Sequence, residues 1–430
     1  MDKLIIVGPA KLSGSVRVSS SKNASLPILV ASLLSTRPVT LKNLPRLRDI
    51  ETMLKLLRNL GAVVTQDERG TTIDSANLST FSATYELVKT MRASFLVLGP
   101  LLSRFGEGKV SLPGGCAIGV RAIDIHLDGL AKMGAKIELN AGHVQAKIDS
   151  DDRRLHGGEI HLSFPSVGAT ENLMMAATLA KGTTIIKNAA REPEVEDLGN
   201  FINFLGGKVK GAGESEVIIE GVDYLDCASS GQREYEVIPD RIEAATYIIA
   251  AAMTGSTLEV VNVISRHLDT VIAVLRDMGV NLELDEENNL VRVLPSNELK
   301  GMHVDTAPYP GFPTDVQAQL MALAMVAKTP SVITEHIFEN RFMHVPELNR
   351  LGTNIFLRGN SAFISGNYKL KGAPIMCTDL RASAALVLAA LVAEGRSDIS
   401  RIYHLDRGYE GLDSKLKSLG VNIERAKNGL

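Results

Sequence analysis

The chain has 430 residues, 45% of them hydrophobic and 22% charged, which is enough for two or three ordinary domains of average globular composition. Its formal charge of −3 at pH 7 and sequence pI near 6.3 exclude a global basic field. Nucleic acid or an anionic membrane is therefore not a default partner, and any bound anion must be met by locally placed Arg and Lys.

From the N-terminus, "MDKLIIVGPA" offers a four-residue apolar run before Gly8 and Pro9, too short for a signal-peptide core. The longest apolar stretches, such as "ASAALVLAALVA" at 382–393, fall short of the roughly 20 residues a membrane span needs, and the expectation is a cytosolic protein. Cys116, Cys227 and Cys377 lie far apart, with no CxxC pair and no HExxH, so neither a disulfide framework nor a structural zinc site is supported.

A Leu-Gly or Met-Gly pair closing an amphipathic pattern recurs at Gly61, Gly134, Gly206, Gly279, Gly352 and Gly420, at intervals of 73, 72, 73, 73 and 68 residues. In the first copy, "DIETMLKLLRNLG" puts Ile50, Met53, Leu54, Leu57 and Leu60 on one helical face, with Asp49 as the expected N-cap and Gly61 as C′. "HLDTVIAVLRDMG" repeats this with Leu268, Val271, Ile272, Leu275 and Met278. Alternating runs such as "AKIEL" and "VNIER" follow the glycines and read as strands.

A second helix in each unit is apolar on all sides and therefore buried: "ASLPILVASLL", "ENLMMAATLA", "RIEAATYIIAAA", "DVQAQLMALAMVA", "RASAALVLAALVA". Between the two helices lie β-type runs, "TTIIKNA", "STLEVVNV" and "SVITEHI". The unit is strand, buried helix, strand, outer helix, strand, strand, six times over. Six βαβαββ units with helices inside and sheets outside predict an α/β protein of two larger lobes with a cleft between them.

Counting back 38 to 42 residues from each glycine reaches the start of the buried helix, at Lys22, Arg92, Gly168, Asp240, Thr314 and Arg381. Helix N-termini carry unpaired N–H groups, so polar residues gathered at several of them suit an anion. A second ring, 11 to 15 residues before the glycines, is Arg48, Arg121, Arg191, Arg266, Arg341 and Arg407. Any one of these can be a structural ion pair or loop cap, while as a set of guanidinium forks they suit a substrate with several phosphate and carboxylate groups.

The stretch "SLPGGCAIGVRAIDIH" at 111–126 sets Cys116 behind Gly114 and Gly115, with Arg121, Asp124 and His126 just beyond. With "SKNASLPIL", "TMRASFLVLGPLL", "SVGATENLM", "NAAREPEVEDL", "FPTDVQAQ", "FENRFMHVPEL", "TDLRASAALVLA" and "RIYHLDRGYE", it closely resembles the bacterial UDP-N-acetylglucosamine 1-carboxyvinyltransferase family, in register from about residue 3 to 427. The resemblance implies an inside-out α/β barrel of two lobes, each with three βαβαββ repeats: residues 22–239 form one, and 1–21 with 240–430 the other. It also implies transfer of the enolpyruvyl group of phosphoenolpyruvate to the 3′-hydroxyl of UDP-N-acetylglucosamine with release of phosphate. No metal and no organic cofactor are expected, and the partners are the two small-molecule substrates.

Carried onto this sequence, the resemblance makes Cys116 the proton donor to C3 of phosphoenolpyruvate, also able to attack C2. An unperturbed thiol is mostly protonated at neutral pH yet becomes a thiolate beside Arg. The glycine pair would let its loop fold over the bound sugar nucleotide and exclude water. Asp315 matches the residue near the attacking hydroxyl and is the candidate base, although "T-D" there would equally cap the helix after Pro313.

Lys22 and Asn23 match phosphoenolpyruvate-binding residues. Arg121 and Arg407 would clamp phosphate and carboxylate, supported by Arg92 and Arg381. Arg121, Ala122, Ile123, Asp124 and Ile125, with Ser166, Val167 and Gly168, match the uridine diphosphate site. Ile337 matches a backbone contact to the sugar nucleotide, and Asp379 with Arg381 is expected as an ion pair.

Two departures stand out: "VSSSKNA" has serines before Lys22 where Gly-Ala is usual, and Phe164 stands where some relatives carry lysine. Cys116 argues against the sister enolpyruvylshikimate-phosphate synthases, which would have a Lys and Glu acid–base set. An inactive paralogue and a non-catalytic nucleotide-sugar sensor are the remaining readings. Cys116 further predicts alkylation by fosfomycin, a small phosphonate epoxide.

Overall fold

The computed structural model describes residues 2–89, 91–112, 123–226 and 234–427. They fall into two compact units, one within 20–238 and the other made of 2–19 and 239–427. Each has its own apolar core.

Three four-stranded sheets build each unit among the described residues, all with one topology: a parallel pair, then two antiparallel strands. In the 20–238 unit, Glu234–Glu236 runs parallel to Val39–Lys42, followed by Gly70–Asp74 and Val63–Asp67. The second sheet is Ser82–Ala83, Glu107–Ser111, His143–Ile148 and Ala135–Asn140. The third is Glu159–His161, Thr183–Lys187, Glu216–Glu220 and Val209–Lys210.

In the other unit, Ser15–Arg17 pairs with Leu258–Val261, then Leu290–Leu294 and Asn281–Asp285. His303–Asp305, Ser331–Thr334, Ser361–Ile364 and Phe356–Arg358 follow. Pro374–Met376, Gly395–Ser400, Asp2–Gly8 and Ile423–Lys427 complete it.

The repeat explains the two irregular pairings. The strand preceding the first buried helix, Ser15–Arg17, joins the sheet of Leu258–Val261, while the strand preceding the fourth, Glu234–Glu236, joins that of Val39–Lys42. The two units have exchanged their leading strands. The sixth repeat ends on Ile423–Lys427, and the strand it lacks is supplied by Asp2–Gly8, which pairs antiparallel with both Gly395–Ser400 and Ile423–Lys427.

The apolar helices are buried as their composition requires; in Arg241–Thr254 all fourteen residues are buried, and in Leu380–Val392 Arg381 through Leu391 are. Small alanines on every face let neighbouring helices approach, as Gln317–Val326 and Leu380–Val392 do. Two buried helices open with a tight 3₁₀ segment, Arg92–Val97 before Leu98–Phe105 and Thr314–Val316 before Gln317–Val326.

On the outer helices Ile50, Met53, Leu54, Leu57 and Leu60 are all buried, and so are Leu268, Val271, Ile272, Leu275 and Met278. The six terminating glycines have φ of +104°, +97°, +101°, +90°, +97° and +96°, a backbone that residues with a Cβ rarely adopt. One capping expectation is corrected. The helix at Arg48–Asn59 is preceded by Leu47, which makes no side-chain cap, and Asp49 lies buried in its first turn. Its carboxylate there faces the Lys22 ammonium 3.4 Å away.

Candidate active site

In the 2–19 plus 239–427 unit the expected polar residues meet around Asp315. Pro313 cannot donate a backbone N–H and sets the entry to the 3₁₀ turn Thr314–Val316, which puts Asp315 at the mouth of the buried helix. The helix opens without a side-chain cap, and Asp315 Oδ1 accepts from Arg341 Nη2 at 2.8 Å and its Oδ2 from Arg381 Nε at 3.2 Å. This replaces the expected N-cap. Both guanidinium side chains are 3% exposed and the carboxylate 26%, so Asp315 keeps a solvent-facing edge.

Two guanidinium groups thus satisfy both carboxylate oxygens with charge-assisted hydrogen bonds, which fix Asp315 at the helix mouth. The expected Asp379–Arg381 ion pair is also corrected. Asp379 is the N-cap of Leu380–Val392, its Oδ1 accepting from the backbone N–H of Arg381 and Ala382 at 3.0 and 3.1 Å, while the guanidinium turns to Asp315. Capping satisfies two otherwise orphaned N–H groups and leaves the Arg381 head available to another carboxylate.

Glu335, 3% exposed, organises the neighbouring turn. Its Oε1 accepts from Thr306 Oγ1 and from the N–H groups of Ile337 and Phe338, and its Oε2 accepts from Thr314 Oγ1 at 2.8 Å. The Ile337 N–H is thereby held within the turn. Arg407 is half-buried at the end of the 3₁₀ helix Ile402–Arg407. In the arginine ring, Arg48, Arg191 and Arg266 are exposed, whereas Arg341 is buried.

In the 20–238 unit two buried helices present their N-termini. Ser21 caps Lys22–Ala31 by accepting from Ala24 N–H at 3.2 Å, with Lys22 and Asn23 in the first turn. Ser166 caps Val167–Thr178, accepting from Ala169 N–H at 3.4 Å. Ile123 precedes the helix Asp124–Lys132, with Asp124 exposed and Ile125 half-buried. Phe164 is 45% exposed.

His126, 7% exposed, faces Gly168: a Cβ there would lie 3.3 Å from its Cε1, so the close approach favours glycine. Asn172 donates from Nδ2 to His126 Nδ1 at 3.1 Å while its Oδ1 accepts from Gly99 N–H at 2.8 Å, which leaves the ring proton on Nε2. Burial, with Arg92 nearby, pulls the imidazole down to about 3, so it is a neutral donor at physiological pH.

Cys116, Arg121 and Ala122 lie outside the described residues, as does Cys227. Cys377 is buried, and burial pushes its thiol up to about 12, the behaviour of a core residue. The sequence reading did not name Glu335, Asn172 as the partner of His126, or Gln319 and Tyr409, which pack beside Asp315 and Arg381. The available signal was a polar side chain on an otherwise apolar helical stripe, as with Asn172 beside Leu173 and Met174.

A family model described as EPSP synthase (3-phosphoshikimate 1-carboxyvinyltransferase) matches residues 6–416. A UDP-N-acetylglucosamine 1-carboxyvinyltransferase of Geotalea uraniireducens is 53% identical over 427 residues, covering 99% of this chain and 100% of that protein. One of the same name from Coxiella burnetii is 52% identical, covering 100% and 97%. Among solved structures, the enolpyruvyl transferase NikO from Streptomyces tendae superposes with a TM-score of 0.87 at 27% identity, covering 99% of both chains. An EPSP synthase from Acinetobacter baumannii shares the fold, with a TM-score of 0.77 at 19% identity, covering 99% of this chain and 100% of that one.

Proposed function

The chain belongs to the UDP-N-acetylglucosamine 1-carboxyvinyltransferases of the EPSP synthase family, and from that premise we propose how its residues carry out the reaction. The enolpyruvyl group of phosphoenolpyruvate passes to the 3′-hydroxyl of UDP-N-acetylglucosamine, phosphate leaves, and the product enters peptidoglycan synthesis. Each unit is built as an inside-out α/β barrel of three βαβαββ repeats, so that helix N-termini, rather than strand ends, present the polar residues.

The reaction is addition followed by elimination. The 3′-oxygen bonds to C2 of phosphoenolpyruvate while its proton goes to Asp315 and C3 receives a proton from Cys116. The C2–O bond to phosphate then breaks and C3 gives its proton back. Lys22, Asn23, Arg121 and Arg407 hold the phosphate and carboxylate, with Arg92 and Arg381 in support. Ala122, Ile123, Asp124 and Ile125, with Ser166, Val167 and Gly168, take the uridine diphosphate, and Ile337 meets the sugar nucleotide through its backbone.

The observation that carries this reading is Asp315 held by Arg341 and Arg381 at the start of a buried helix. An anionic donor arriving beside these cations competes for them and frees the carboxylate to accept a proton, so binding and base activation are linked. The test is inorganic phosphate release from phosphoenolpyruvate, with and without UDP-N-acetylglucosamine, for wild type and Cys116→Ala. Release that requires the sugar nucleotide and collapses in the variant supports the reading. No release from folded wild-type protein overturns it in favour of a non-catalytic nucleotide-sugar binder.

A further inference from the structure

Tyr409 is 3% exposed and reaches both halves of the Asp315–Arg381 pair. Its ring lies under the Arg381 guanidinium, with Cζ 5.4 Å from the ring centroid, and Arg381 Nε is the group that holds Asp315 Oδ2. Its hydroxyl lies 3.1 Å from Thr246 Oγ1 and 3.0 Å from Gln319 Nε2.

The proton directions in this network follow from its ends. Thr246 gives its hydroxyl proton to the Ile242 carbonyl at 2.8 Å, so toward Tyr409 it accepts. The Tyr409 proton therefore goes to Thr246, and the phenol oxygen accepts from Gln319. The same Gln319 nitrogen donates to the Asp315 backbone carbonyl at 3.1 Å. An unbroken hydrogen-bonded chain runs from the fully buried helix Arg241–Thr254, through the Tyr409 hydroxyl, to the turn that carries Asp315.

We propose that Tyr409 is a positioning residue for the transfer reaction, fixing the Asp315 backbone through its hydroxyl and the Arg381 head through its ring. The inference rests on Asp315 being the base, as above. Tyr409 is too buried to meet a substrate, and its effect is geometric: a base misplaced by a fraction of an ångström loses its line to the hydroxyl it must deprotonate. Among the described residues, the charged and titratable groups around the pair include Arg341 and His344 ahead of the helix Val345–Arg350, Asp379 and Arg381 at the start of Leu380–Val392, and Asp240 at the start of Arg241–Thr254.

Tyr409→Phe keeps the ring under Arg381 and removes the hydroxyl; Thr246→Val removes the group the hydroxyl donates to, which Gln319 Nε2 also reaches at 3.3 Å, and Thr246→Ser restores it. Expected for Tyr409→Phe are an unchanged cooperative melt, KM values within about threefold of wild type, and a kcat about tenfold lower. The acidic limb of its kcat–pH profile should move to higher pH, because an Asp315 turn less firmly anchored through Gln319 meets Arg341 and Arg381 less closely, and its charge is held less firmly. Thr246→Val shifts in the same direction and Thr246→Ser does not.

The Asp315 carboxyl resonance, followed by ¹³C NMR in the substrate-free protein, gives a reading independent of turnover. A higher titration midpoint in Tyr409→Phe than in wild type supports the inference, and an unchanged midpoint overturns it, whether or not the wild type turns over. Absence of sugar-nucleotide-dependent phosphate release from wild type overturns the functional reading separately.

Discussion

Arg341 reaches Asp315 across 2.8 Å with its guanidinium almost entirely removed from solvent. Removing the carboxylate strands that charge and the equally buried Arg381 without this counter-ion. Asp315→Asn should therefore cost about 3 kcal/mol of stability, in the range for breaking a buried pair by one partner. It should also lower phosphate release by at least about a hundredfold as the base is lost. Urea titration and the phosphate assay on one preparation check both, and a variant as stable and active as wild type would remove Asp315 from the site.

His126 gives a stability change of defined sign. Its folded imidazole titrates at about 3 because it is buried beside Arg92, whereas an unfolded histidine titrates near 6.5. The folded state holds fewer protons, so this contribution is fully present above about pH 6.5 and drains away as pH falls toward 3, by on the order of a few kcal/mol. The His126 ring resonance should stay at its neutral position down to about pH 4. Midpoint movement near the ordinary histidine value would contradict the burial argument.

Asp197 should behave in the opposite way. Burial raises its carboxyl to about 6, although Tyr235 donates to it at 2.6 Å and Ile238 N–H at 3.3 Å. Its folded state holds the proton more tightly than the unfolded chain, so the stabilisation is present below the ordinary carboxylate range and is lost as pH rises through about 6. Asp197→Asn, whose Oδ1 can accept from Ile238 N–H while its Nδ2 donates to the Tyr235 oxygen and the phenol proton turns to the residue 197 carbonyl 3.1 Å away, should gain about 1 to 2 kcal/mol over wild type at about pH 8 and converge with it near pH 4. Urea midpoints at the two pH values decide.

Glu243 and Lys415 form a third case, an ion pair at 2.6 Å in which the carboxylate is 3% exposed and also accepts from Ser19 N–H at 2.8 Å. Lys415 donates in addition to Ser19 Oγ at 2.8 Å. Lys415→Met alone leaves a buried charge and should cost about 3 to 5 kcal/mol, while adding Glu243→Gln should recover most of it. If both variants lose the same amount, the cost lies in packing rather than charge.

What could be read from the sequence was whatever the backbone or the core forces on each residue type. The six terminating glycines were visible because a φ of +90° to +104° admits little else, and the inner helices because alanine and leucine on every face leave no side for water. The exchange of Ser15–Arg17 and Glu234–Glu236 was not visible in the periodicity, since a repeat fixes what a segment becomes and not which neighbour it pairs with; the family resemblance alone set 1–21 with 240–430.

The same limit applies at the site. Asp315 stood out as an acid at a helix mouth, but its two guanidinium partners are 26 and 66 residues away along the chain, and nothing local distinguishes that role from a cap. Asp379 misled in the other direction, because an Asp two residues before an Arg reads as an ion pair until its backbone bonds are seen. Tyr409 and Glu335 act only through contacts made after folding.

The placement of Asp2–Gly8 between Gly395–Ser400 and Ile423–Lys427 bears on how the protein is made. A ribosome delivers this strand long before its two neighbours, so while the intervening chain is made its backbone groups have no native partners. The unit within 20–238 receives its last strand, Glu234–Glu236, near the midpoint and can condense while translation continues. Asp2–Gly8 meanwhile waits as an unpaired apolar strand, the state in which a nascent chain is most exposed to mispairing and in which a holding chaperone would matter most.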